Sequence, residues 1–284
     1  MAAITPAGTL PWDDDEEPAR AELLRAADEY ERADMLYAAT GGREGQRPAA
    51  DCAILPELGL AVMRSGWTEA DTYAAVSLWR PGHATPCPPL SLALHSGGTR
   101  LLVDEVGRGS SPVLGGEVAP PVAGDVRQWA AGPSFAYLDV QYALAGGRVL
   151  RRQVVFAGDA LVVRDTSSAA GNHSLGQRWY PAAGAAVSWS EYGAAEASWG
   201  ASRLRIVPAF GEYAAGGETI EPRPLSGAET ADLALFGVTA QNVPEGVYYV
   251  RRPDGAPDTV GIAQTSSSLE IAAGEPLVVL LRMG

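Results

Sequence analysis

Three histidines, His83, His95 and His173, are the only imidazoles in the chain. Proton transfer near neutral pH therefore rests on them, or on tyrosines and carboxylates with shifted titration. His83 lies in a proline-rich stretch, Gly82-His83-Ala84-Thr85-Pro86-Cys87-Pro88-Pro89. There it is either a solvated loop residue or a proton-transfer or substrate-contact group. His95 precedes a Ser-Gly-Gly turn and reads as structural or exposed; His173 follows Gly171-Asn172 at a hairpin tip. The run Arg178-Trp179-Tyr180 is the second chemical resource. Alternate side chains of a strand share a face, so Arg178 and Tyr180 stand together as a cation beside a phenol. That pair is either an ordinary wet face or a site that binds a carboxylate or enolate and moves a proton. Trp179 is one of seven tryptophans in a chain with four phenylalanines. Most of these belong to a core, but a subset gathered on one face would stack against a sugar ring or a flat ligand.

Composition removes several alternatives. Every basic side chain other than histidine is arginine; the sequence contains no lysine. Schiff-base chemistry, pyridoxal-phosphate attachment and a P-loop lysine are excluded. The net charge of −13 opposes a phosphate backbone, so no nucleic-acid partner is expected. Cys52 and Cys87 are too few for a disulfide framework or a four-thiolate zinc site, and Cys87 lacks a basic sequence neighbour to activate it. No Gly-x-Ser-x-Gly elbow and no Gly-rich dinucleotide loop occurs. The N-terminus lacks a basic and then apolar leader, and no apolar run approaches bilayer length. The expectation is a cytoplasmic protein with no membrane partner.

The elements that must position these residues are mostly strands. Residues 1–18 carry Asp13-Asp14-Asp15-Glu16-Glu17 and are expected to be disordered; 19–38 repeat apolar residues at helical spacing until Gly41-Gly42 stops them. The stretch from Trp12 to Asp34 holds 10 acids and 3 arginines, over half the net charge. After a polar linker at 41–50, strand patterns follow at 60–64, 72–78, 91–95, 100–104, 136–143, 148–156, 160–165, 174–180, 185–191, 197–208, 232–239, 246–251, 260–264, 268–271 and 277–283. Their spacing, with turn pairs such as Gly97-Gly98 and Gly146-Gly147, is that of a large antiparallel β-sandwich. The fold class is therefore all-β, preceded by one N-terminal helix, with an arm at 1–50 and a sandwich domain at 51–284.

Four stretches, in order, resemble the C-terminal β-domain of the heparinase II/III-like polysaccharide lyases. They are Gly59-Leu60-Ala61-Val62-Met63-Arg64-Ser65-Gly66-Trp67; Leu90-Ser91-Leu92-Ala93-Leu94 through Gly98 to Asp104; Arg151-Arg152-Gln153-Val154-Val155-Phe156 with Leu161 to Asp165; and His173 to Trp179. The resemblance implies a β-sandwich that in the family follows a helical toroid, for which residues 19–38 leave room for one helix. The toroid supplies the family's catalytic tyrosine and part of its sugar cleft. The family's His-x-His-x-Asp motif would fall on Ala84, Pro86 and Pro88, with His83 one residue out of register, and a further ligand histidine near Val149 or Leu150. Asp104 matches a family aspartate that binds metal in some members. One ligand cannot hold an ion, so neither metal nor cofactor is expected.

The residues left to do chemistry are His83, Tyr180 and Arg178 as catalytic groups, with Trp179, Asp104, Arg152 and His173 contacting substrate. Arg152, or its neighbour Arg151, also has a structural alternative, pairing inward with Asp104 or Asp165. The expectation is a repurposed lyase fold performing elimination, addition or cyclisation on a small molecule. The alternatives are a non-catalytic carbohydrate- or partner-binding module, and a uronic-acid lyase completed by a separate toroid. The partner is a small-molecule or sugar-like ligand, and the missing toroid surface would favour a homodimer.

Overall fold

The structure, a computed structural model, describes residues 16–78, 88–105, 108–114, 121–133, 135–168, 175–189, 194–208, 246–249, 260–262, 268–273 and 277–284. The arm forms two helices, α1 (Glu16–Glu29) and α2 (Ala33–Ala39), where one was expected. Glu31 takes φ 50° and breaks them. The physical cause is legible: Asp28 and Glu29 crowd the negative end of α1, whose last turn holds no basic residue. The helix also begins at Glu16, inside the stretch expected to be disordered, because Glu16 and Glu17 suit its positive end.

A first group of strands runs β1 (Ala53–Leu55), β2 (Leu60–Arg64), β3 (Tyr73–Ser77), β4 (Leu92–Ser96) and β5 (Thr99–Leu102). Short pieces β6 (Asp104–Glu105), β7 (Arg108–Gly109) and β8 (Pro112–Leu114) follow. Then come β9 (Pro121–Gly132), β10 (Phe135–Leu144), β11 (Val149–Ala157), β12 (Ala160–Ser167), β13 (Leu175–Trp179), β14 (Ala186–Trp189), β15 (Ala195–Trp199) and β16 (Ser202–Pro208). The last are β17 (Gly246–Tyr249), β18 (Val260–Ile262), β19 (Ser268–Ala273) and β20 (Leu277–Met283).

Strands β1 to β5 form a five-stranded antiparallel meander. An eight-stranded antiparallel sheet has the order β14-β15-β16-β20-β12-β11-β10-β9. A third sheet, ordered β18-β17-β19-β13-β8, contains one parallel pair, β17 with β19. The meander is buried on both faces, which is why β2 and β3 read as apolar runs without alternation. In the eight-stranded sheet, β11 and β12 alternate buried with exposed or half-buried positions. The core lies between these two sheets, with Met63, Leu92 and Leu94 meeting Leu138, Phe156, Leu161 and Leu281.

Two expectations are corrected. The pattern at 197–208 is not one strand but the hairpin β15–β16, turned at Gly200, whose φ of +60° few other residues adopt cheaply. The long strand β9 was not anticipated, since its small and polar residues mask any period-two signal. The expected strand at 232–239 lies outside the described residues. No described helix is long and apolar enough to cross a membrane.

Candidate functional site

Where the three sheets meet, β11 turns Arg152 inward, and the side chain is wholly buried. Asp165 faces it across the β11–β12 ladder. Arg152 Nε and Nη2 donate to Asp165 Oδ1 and Oδ2 at 2.8 and 2.7 Å, a bidentate pair. Arg152 Nη1 donates to the main-chain oxygens of Leu90 at 2.6 Å and Ser110 at 3.0 Å. Gln177 on β13 donates through Nε2 to Asp165 Oδ2 at 2.6 Å, and the Arg152 guanidinium lies 5.7 Å from the Trp179 ring centroid. One guanidinium thus ties the meander, the eight-stranded sheet and the third sheet together.

The seam closes around Leu90 and Ser110. Leu90 is buried with φ 60°, a conformation that strains a non-glycine residue. Ser91 Oγ donates to Pro88 O at 2.6 Å, and Leu92 N donates to Ser110 O at 3.0 Å. Ser110 Oγ accepts from Tyr180 N at 3.0 Å, and Val103 N donates to Tyr180 O at 2.9 Å. Gly109 permits this crowding: a Cβ there would come within 2.7 Å of the Pro88 ring and 2.8 Å of Ser91 Cβ. Gln177 Oε1 and Trp179 Nε1 are buried beside the knot with no hydrogen-bond partner among the described residues.

The seam gathers the backbones of Asp104, Arg152, Arg178, Trp179 and Tyr180, five of the seven positions singled out from sequence. Asp104 pairs with Gly109, and Arg178 pairs with Glu270 of β19. Their chemistry differs from expectation in three respects. Trp179 is sealed in the core and offers no stacking face to solvent. Arg152 is engaged inward with Asp165, the structural alternative, rather than lining a ligand surface. Tyr180 lies beyond the last residue of β13 and is buried with Val103 and Ala182, so it does not form an exposed strand face with Arg178. His83 and His173 lie outside the described residues.

A second polar row escaped the sequence reading. On the face of the meander turned away from the core, Arg64, Tyr73 and His95 are neighbours on β2, β3 and β4. The Arg64 guanidinium sits 4.3 Å from the Trp67 ring centroid and 4.4 Å from that of Tyr73, a cation between two aromatic faces. His95 meets Tyr73 edge-on, centroids 5.8 Å apart at 81°. Burial pulls Arg64 down to about 10 and His95 down to about 3, where the nearby Arg100 and Arg64 charges add to the effect. His95 is thus neutral at pH 7, and its Nε2 has no hydrogen-bond partner among the described residues. Only the cross-strand register, which sequence left open, could have joined these three residues.

At this same end of the meander, away from the Leu90 seam, a cleft of about 460 Å³ opens between the meander and the eight-stranded sheet. Ser65, Thr72, Ser96 and Ser202 supply hydroxyls, with Asp159 and Arg203 also in the lining and Leu101 and Met283 adding apolar surface. Among the described residues, no group of three or more His, Cys, Asp or Glu could hold a metal ion.

Solved structures share this fold. Heparan sulfate lyase HepC from Pedobacter heparinus matches over 99 % of this chain and 44 % of its own, with a TM-score of 0.69 and 15 % identity. A mutant of that enzyme matches with a TM-score of 0.70, 14 % identity and 98 % coverage of this chain. A heparinase III structure matches with a TM-score of 0.59 and 12 % identity, over 96 % of this chain and 43 % of its own. The chain therefore has the β-sandwich architecture found in heparinase III structures and spans less than half the length of those lyases. No protein-family model matches the sequence, and no curated protein does.

Proposed function

We propose that this lyase-fold chain carries out elimination, addition or cyclisation on a small molecule, in bacterial specialised metabolism, without a metal ion. The carrying observation is the hydrogen bond from Arg152 Nη1 to Leu90 O. Leu90 closes the stretch that begins with His83, and the same guanidinium reaches β13 through Asp165 and Gln177. That knot links Leu90, seven residues after His83 in the sequence, to the strand of Arg178. In this reading His83 takes the proton α to a carboxylate, and Arg178 neutralises that carboxylate. The C–H electron pair becomes the new π bond, the β C–O bond breaks onto oxygen, and His83, now carrying the abstracted proton, protonates the leaving group. Asp104 and His173 contact the substrate. The sequence supports the metal-free form, because the motif positions that hold ligands in the resembled family are Ala84, Pro86 and Pro88.

The test is incubation of the pure protein in heavy water with β-alkoxy carboxylates and uronate disaccharides. Nuclear magnetic resonance then reports deuterium at the α-carbon and any new alkene. Exchange or elimination that disappears in His83→Ala and Arg178→Ala is the expected result. Full activity in both variants overturns the assignment. Rapid cleavage of long uronate polymers would instead favour a lyase completed by a separate toroid. The hydroxyl-lined cleft favours one second reading, a carbohydrate-binding module, which predicts binding without exchange.

A further inference from the structure

The chain divides its charge unevenly between two exposed surfaces. On the arm, residues 16–34 hold seven acids and three arginines. Arg25 takes up Glu22 and Glu29, and Arg32 takes up Asp34. Asp28 and Glu31 stay exposed with no ion-pair partner among the described residues. The outer face of the eight-stranded sheet has the opposite sign: its described strand residues present six arginines and three acids, in a protein whose net charge is −13. Three of those arginines pair with the acids, and Glu196 of β15, bonded to Arg203, also stands opposite Arg205. Arg164 and Arg282 are left exposed without an ion-pair partner among the described residues.

The same two surfaces hold most of the exposed apolar bulk. Of the five large apolar side chains exposed among the described residues, Leu24 (39 %) and Tyr30 (62 %) lie on the arm, and Phe135 (44 %) and Val162 (37 %) on the sheet. The register places Phe135, Ala157, Ala160 and Arg282 in one transverse row, so two alanines leave a hollow between an aromatic ring and a guanidinium. On the arm, Leu24 and Asp28 are one helical turn apart, and Tyr30 and Glu31 project where α1 ends. Arm and row also share an end of the molecule. Arg20 of α1 reaches Glu69 in the β2–β3 turn at 3.8 Å, Gly98 N donates to Glu69 O at 2.6 Å, and Thr99 Oγ1 lies 2.7 Å from Ser202 Oγ at the start of β16.

We infer that these surfaces pair between two copies of this chain, the arm of each copy lying on the outer sheet face of the other. Tyr30 fills the hollow, its ring against Phe135 and beside the Arg282 guanidinium, while Asp28 and Glu31 meet Arg164 and Arg282. Because both surfaces stand at one end, a two-fold axis there closes both contacts at once, and each is made twice. The pairing covers the four exposed apolar side chains and neutralises charge that the single chain leaves unmatched on each surface. It is independent of the chemistry proposed at the seam.

Sedimentation velocity of the full chain over a range of concentrations tests this. A monomer–dimer equilibrium is expected, weakening as salt rises. Tyr30→Ala and Phe135→Ser should each weaken the dimer about tenfold while leaving the monomer's circular dichroism unchanged, since both side chains are exposed in the single chain. Asp28→Arg/Glu31→Arg and Arg164→Glu/Arg282→Glu should each be monomeric alone. Mixed in equal amounts, the two should dimerise again, because arm and face then attract in both contacts. A monomer at every concentration overturns the inference, as does a dimer unaffected by the arm variants or a mixture that stays monomeric. Growth into a ladder of larger species overturns the two-fold closure. Because the readout is mass, a failure here leaves the heavy-water exchange experiment unaffected.

Discussion

Arg152 holds Leu90 in a backbone conformation that leucine rarely adopts: its Nη1 lies 2.6 Å from the Leu90 oxygen, and Leu90 has φ 60°. Both residues are buried. The interaction therefore stores local strain and offsets it with a charge-assisted hydrogen bond in a buried site.

Removing that side chain should be costly. Arg152→Ala leaves the Asp165 carboxyl group buried without its cationic partner, and should destabilise the fold by about 3–5 kcal/mol. Arg152→Lys keeps a charge but cannot reproduce the fork that spans Asp165, Leu90 and Ser110, so it should recover only part of the loss. Urea unfolding of the three proteins checks this; a wild-type midpoint in Arg152→Ala would show that the knot contributes little.

His95 should make stability depend on pH. Its folded value is about 3, well below the ordinary imidazole value near 6.5. The unfolded chain therefore takes up the proton first. The neutral form's contribution is complete above about pH 6.5 and falls away as the pH drops toward 3, by a few kcal/mol in all. Asp139, held low by Arg151, loses stability in the same direction at acid pH. The difference between wild type and His95→Gln isolates the imidazole. That difference curve should slope between pH 6.5 and 3; a flat one means that His95 is not buried neutral.

Gly109→Ala should be worse than an ordinary strand substitution. Its Cβ would press on the Pro88 ring and on Ser91 Cβ, neither of which can swing aside as a flexible chain end would. A loss of about 1–3 kcal/mol is expected, in the range of overpacking. Relief by a second change, Pro88→Ala, would localise the clash; equal loss with and without that change would place the cause elsewhere.

Much of the scaffold was readable because its signals are local. Strands at 60–64 and 277–283 follow from apolar runs between turns, and they match β2 and β20. The site was less readable because it depends on which strands become neighbours. Adjacency on a strand implied that one of Arg151 and Arg152 turns inward but not which; Arg152 does, paired with Asp165, while Arg151 pairs with Asp139 on the other face. It could not say that Trp179 points into a core, nor that Tyr180 leaves the ladder one residue after β13 ends. Arg64 and His95 looked unremarkable for the same reason: their meaning comes from Tyr73, which lies between them only after the meander folds.

The position of β20 has a kinetic corollary. The hairpins β9 to β12 form one contiguous unit and β14 to β16 another, and the two are joined through β20, wedged between β12 and β16. Until residues 277–283 dock, each unit exposes an unpaired strand edge, so the polypeptide must wait on a distant segment before its largest sheet is continuous. Slow, late consolidation of that sheet, with a window of vulnerability to self-association, is the expected cost of this topology.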